Sequence, residues 1–97
     1  MVAYVVSAMS AMHDEALMGE YAAVAGPTVA AHGGKMLARG NIEVLDGDSP
    51  ARGGVIIEFP SADAVRAWYT SPEYQKIVDM RFRAITSTLL HYANDAE

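Results

Sequence analysis

The residue most in need of a chemical explanation is Arg81. At helical spacing it falls among Tyr74, Ile77, Val78, Phe82 and Ile85, while Lys76, Asp79 and Arg83 take the opposite side. A guanidinium cannot shed its charge in a protein. Buried without a partner, it would cost on the order of several kcal/mol. Arg81 therefore requires a carboxylate, a set of carbonyls or a bound anion. The sequence offers Glu58, an acid inside the apolar run VIIEF, which would make Arg81–Glu58 a structural ion pair. The other reading gives Arg81 the carboxylate or enolate of a substrate. Arg39, in MLARG, is either a solvated strand charge or a second anion-binding group at a pocket mouth. His32 precedes Gly33-Gly34 at a helix end, where the helix dipole favours a cation. It is either a cap or a general acid or base working near neutral pH.

The stretch AWYTSPEYQKI places Trp68, Tyr69 and Tyr74 within eleven positions. Such aromatics pack a core, yet their N–H and O–H groups want partners when buried. They are also natural walls for a pocket, with Arg81, Arg39 and His32 as its polar points. The expected division is that Trp68 mostly packs, while Tyr69 and Tyr74 flank a gap left at Ser71-Pro72. His13 and His91 are weaker candidates. The three histidines lack ligand spacing and there is no HExxH, so no metal site is expected. Nor is there a GxSxG or a defensible Ser-His-Asp set. Gly33-Gly34 and Gly53-Gly54 do not open helices as phosphate loops do.

These residues need elements to hold them. Ala3 to Ala8 (AYVVSA) has the composition of a buried strand. Asp14 then caps a helix whose Leu17, Tyr21, Val24 and Thr28 share a face. Gly26-Pro27 should kink or restart it, and Gly33 should end it in a left-handed cap. Lys35 to Leu45 reads as a strand bent at Gly40-Asn41. Asp46 to Gly54 reads as a hairpin loop, and Val55 to Phe59 as a second apolar strand. Ser61 caps a helix with Val65, Trp68 and Tyr69 on one face. Ser71-Pro72 restarts it, Ser as cap and Pro at the first helical position. Thr86 to Tyr92 is the last strand, followed by a polar tail, Asn94 to Glu97.

The bulk numbers narrow the functions available. A chain of 97 residues is expected to form one domain, 1–97. It is 52% hydrophobic and carries a net charge of −5. The acidity argues against nucleic acid and against anionic membranes. No run approaches the length of a membrane span. The first residues lack the pattern of a signal peptide, and the absence of cysteine removes disulfide and thiolate chemistry. A cytoplasmic protein is expected. Its apolar excess calls for a buried face beyond one small core.

The order βαββαβ is the split βαβ, ferredoxin-like α+β arrangement, four antiparallel strands with the helices on one face. From Ala3 to about Tyr92 the chain resembles the bacterial family catalogued as domain of unknown function 1330. The resemblance is carried by AYVVSA, PTVAAHGGKMLARG, VLDGD, VIIEFPSADAVRAWYTSPEYQKI and MRFRAI. The Met-rich AMSAMHDEALMGEY departs from the family, which more often has polar residues and an Asp-Pro there. That family is similar to the dimeric α/β barrel superfamily, in which two ferredoxin-like protomers pack sheet to sheet. The resemblance implies a homodimer and a pocket for a small-molecule ligand. By analogy it implies a cofactor-independent enzyme, isomerase, cyclase or monooxygenase-like, on a small organic acid. His32 would move a proton while Arg81 and Arg39 hold the anion. A non-catalytic binding, sensing or stress-related module, or a purely structural dimer, are the alternatives.

Overall fold

The computed structural model describes residues 1–93, so the tail expected at Asn94–Glu97 lies outside the described residues. Four strands form one antiparallel sheet: β1 (Ala3–Met12), β2 (Lys35–Asn41), β3 (Gly53–Phe59) and β4 (Ile85–Ala93), in the order β2-β3-β1-β4. Between them run α1 (Glu15–Ala31), α2 (Ala62–Thr70), α3 (Pro72–Gln75) and α4 (Val78–Ala84). This is the expected ferredoxin-like α+β fold.

Strand alternation sorts the sheet into two faces. Ala3, Val5, Ile57 and Phe59 point to the helices and are buried. Around them close Val65, Trp68, Tyr74 and Val78. Trp68 is the hub, its ring centroid 4.4 Å from that of Tyr74 and 5.5 Å from that of Phe59. The opposite face carries Tyr4, Val6, Ala38, Ile56, Leu90 and Tyr92, with no helix of the described residues over it. Ile56 is 40%, Leu90 53% and Tyr92 69% exposed.

Helix ends follow the sequence closely. Asp14, Ser61 and Ser71 each accept a backbone N–H three residues on, and Gly33 has φ 79°. Ser71 also donates to the Trp68 carbonyl at 2.7 Å, so one buried hydroxyl joins the end of α2 to the start of α3. Ser71→Ala is expected to lose about 1–2 kcal/mol, read as a lower urea midpoint at unchanged slope.

Four expectations need correction. α1 does not restart at Pro27 but runs through it as one helix. The residue before proline is normally pushed out of the helical region by its Cβ, and Gly26 has none. β1 extends to Met12, with a register shift between Met9 and Ala11. β2 stops at Asn41, and its irregularity falls between Met36 and Ala38 rather than at Gly40-Asn41. The helix after Ser71 is not continuous. Ile77, at φ −113° and ψ −3°, separates α3 from α4. That break rotates α4, leaving Phe82 58% exposed while Arg81 turns inward at 6%. Among the described residues, no helix is long and apolar enough to cross a membrane.

Candidate functional site

α1 packs chiefly against α4 and leaves the helix-facing side of β2 uncovered. The result is a cleft of about 880 Å³ between α1 and the sheet. Its roof is α1, with Met18, Ala22 and Ala25 among the residues turned inward. Its floor is the helix-facing row of the sheet, including Ser7, Met9, Val55 and Ile57. Trp68 and Arg81 close the inner end, and Arg39 and Arg52 stand at the β2 end. A smaller cavity of about 420 Å³, between α2 and the β1–β4 side, shares Trp68 and Arg81 and adds Tyr69 and His91. Arg81 is thus the polar group common to both spaces.

Arg81 lies in the last turn of α4, where the helix dipole favours a cation. Its Nη1 donates to Ser87 Oγ at 2.9 Å, and its guanidinium carbon lies 5.0 Å from the centroid of the Phe82 ring. Its Nε is buried and has no hydrogen-bond partner among the described residues. The ion pairs among the described residues are Lys35–Glu58, Arg66–Asp63 and Arg83–Asp79, and none includes Arg81. The expected Arg81–Glu58 pair is therefore corrected. Glu58 stands opposite Tyr4 and Lys35 on the face away from the helices, with the sheet itself between it and Arg81. Its carboxylate meets Lys35 Nζ at 3.6 Å instead.

Tyr74 is wholly buried, and its hydroxyl shares a 2.8 Å hydrogen bond with the hydroxyl of Tyr21, which lines the cleft. Burial pushes both hydroxyls above the ordinary tyrosine value, and the nearby charge of Arg81 opposes that shift. Trp68 Nε1 donates to Thr28 Oγ1 at 3.0 Å. Tyr69 is 38% exposed and walls the smaller cavity rather than the main cleft.

His32 lines neither space. Its Nδ1 lies 2.9 Å from the Thr28 carbonyl one turn back, the contact of a residue closing its own helix. The structure thus brings Arg39, Trp68 and Arg81 to one cleft and places Tyr69 beside it. Tyr74 stands behind the cleft, and His32 and Glu58 lie elsewhere. Sequence reasoning missed Tyr21 and Arg52 as site residues. Tyr21 stood on the predicted inner face of α1, and that was its one signal. Arg52 was hidden inside an assumed loop.

The family model described as "Domain of unknown function (DUF1330)" matches residues 2–92. Among solved structures, a protein of unknown function from Rhodopseudomonas palustris superposes with TM-score 0.74 at 21% identity, covering 99% of this chain and 84% of that one. A dimeric ferredoxin-like protein of unknown function from Jannaschia sp. CCS1 gives 0.71 at 13% identity, covering 97% and 100%. SnoaB, a cofactor-independent oxygenase from Streptomyces nogalater, gives 0.64 at 16% identity, covering 99% and 94%. At these identities the likeness concerns the fold. No curated protein matches the sequence.

Proposed function

We propose that this chain, which belongs to the DUF1330 family, works as a homodimer that takes a small organic acid between α1 and the sheet and binds its acid group at Arg81. The observation that carries this reading is the state of Arg81, a buried guanidinium whose Nε has no partner, and which meets no carboxylate, among the described residues. Arginine is the side chain best suited to a planar carboxylate, and the attraction strengthens where water is excluded. The dimer is supported by the uncovered apolar face around Ile56, Leu90 and Tyr92 and by the dimeric ferredoxin-like neighbours. Pairing two such faces would leave each helix-side cleft open to solvent.

A catalytic form of this reading rests on a second observation. The Tyr21–Tyr74 hydroxyl pair stands beside the Arg81 charge and reaches the cleft through Tyr21. With both hydroxyls held protonated by burial, the pair would act by donating a hydrogen bond to charge that develops on the bound acid. His32 takes no part in it and serves as a helix cap. A binding module without turnover would use the same cleft and the same Arg81.

Arg81→Met tests the reading with benzoate as ligand. A buried charge without a counter-ion carries a desolvation penalty, which an apolar chain of similar length removes. The variant is expected to melt at or above the wild-type temperature and to lose the thermal shift that benzoate gives the parent. If Arg81→Met unfolds, Arg81 is a structural residue held by Ser87 and Phe82. If it folds and still binds benzoate, the anion sits elsewhere.

A further inference from the structure

The charge inventory of the cleft is lopsided. The chain holds twelve acidic residues against seven basic ones, and five of the seven are arginines. Arg66 and Arg83 lie outside the main cleft, and each is paired with a carboxylate. The other three, Arg39, Arg52 and Arg81, all line it and stand in no ion pair among the described residues. Among the described residues, no Asp, Glu, His or Lys lines it. An acidic protein has gathered its free guanidinium groups around one apolar space.

They are not gathered at one point. Arg81 is anchored at Ser87 on β4, one outer strand of the sheet, while Arg39 lies on β2, the other outer strand. The row Arg39, Val55, Ser7, Leu89 crosses all four strands, and Ser87 lies two residues from its end. Three interstrand steps and that offset put the backbones of Ser87 and Arg39 roughly 15 Å apart. Arg52 lies just before β3, its N–H bonded to the Met9 carbonyl of β1 at 2.8 Å and its carbonyl accepting the Ile42 N–H just beyond β2 at 2.9 Å. Between the poles the floor and roof are mostly apolar, with Ser7 and Tyr21 among the exceptions. The apolar residues include Met9, Met12, Met18 and Met36, whose thioethers adapt to varied shapes. The space matches a drug-sized molecule, since such pockets run about 300–1,000 Å³. A two- or three-carbon acid would leave most of it empty.

We infer that the ligand is an elongated apolar molecule with an acidic group at each end. One group is held in depth by Arg81, the other at the mouth by Arg39 and Arg52. The inference rests on the acid-binding reading above and adds to it the length and second charge of the ligand. The two poles differ in burial. Arg81 is 6% exposed, whereas Arg39 and Arg52 are open to solvent. The deep acid therefore fixes binding and the outer one selects among acids that fit.

The test is calorimetric titration of the intact protein with decanedioate, decanoate and benzoate. Wild type is expected to bind decanedioate about tenfold more tightly than decanoate, the worth of a modest charge-assisted contact. That advantage is expected to vanish in Arg39→Ala/Arg52→Ala, whose exposed side chains can be cut without disturbing the core. Arg81→Met is expected to lose both ligands. Equal affinity for decanedioate and decanoate in wild type overturns the second pole and leaves the acid-binding reading standing. Binding of benzoate alone overturns the elongated ligand. Failure of all three acids overturns the acid-binding reading itself.

Discussion

Gly54→Val is expected to leave no folded protein. Gly54 lies in β3 on the face away from the helices, opposite Ala8 of β1 and Gly40 of β2. A Cβ built there would fall inside the van der Waals envelope of the Ser7 carbonyl oxygen and its carbon. Those are main-chain atoms of a strand bonded on both sides, so nothing flexible can step aside. Ordinary overpacking costs about 1–3 kcal/mol. This clash belongs to the exceptional class above about 4 kcal/mol, close to the whole stability of a domain this size. Circular dichroism and amide NMR dispersion read the outcome. Gly40→Val is the control, because a Cβ at Gly40 meets nothing within 4 Å. Equal folding of the two variants would mean that β1 and β3 do not approach so closely.

The second large effect is on binding. Met18, Ala22 and Val29 share the side of α1 that lines the cleft, and Ala22 lies midway along it. Ala22→Trp places an indole in the space where the ligand would lie. Its cost in helix propensity is about 0.5 kcal/mol, offset by the apolar surface it covers. The variant is expected to fold as the parent does, while decanedioate binding falls below detection. Ala23→Trp, one residue on and outside the cleft lining, is expected to bind as wild type does. Undiminished binding by Ala22→Trp would place the ligand away from α1.

Both predictions depend on details that local sequence expresses unevenly. Strand composition, the caps at Asp14, Ser61 and Ser71, and the Gly33 turn are local signals, and they led to the correct architecture. Glu58 shows where such signals stop. Its place in an apolar run marked it as unusual, but which face it takes depends on pairing with β1 and β2. Arg81 was legible as an inward charge. Its partner Ser87 and the absence of a carboxylate were not, because they depend on how α4 turns after Ile77. Gly26 offered a signal that was read the wrong way. As the residue before Pro27 it looked like a break, whereas its missing Cβ is what lets the helix continue. Arg52 gave no usable sign. Only the extension of β3 back to Gly53 brings it against the cleft.

The place of β1 in the sheet has a further consequence, for how the molecule is made. β1 is an inner strand, flanked by β3 on one side and β4 on the other, and Ala3 pairs with Ala93. The first strand in the order thus waits for the last. At ribosomal speed, the residues between those partners take roughly 5–20 s to synthesise. Through that interval the β4-facing edge of β1 stands unpaired beside an apolar helix, the kind of edge that recruits other chains. Closing so long a loop also slows refolding of the finished chain. Expression yield should therefore be governed by how quickly β4 docks more than by the equilibrium stability of the sheet it completes.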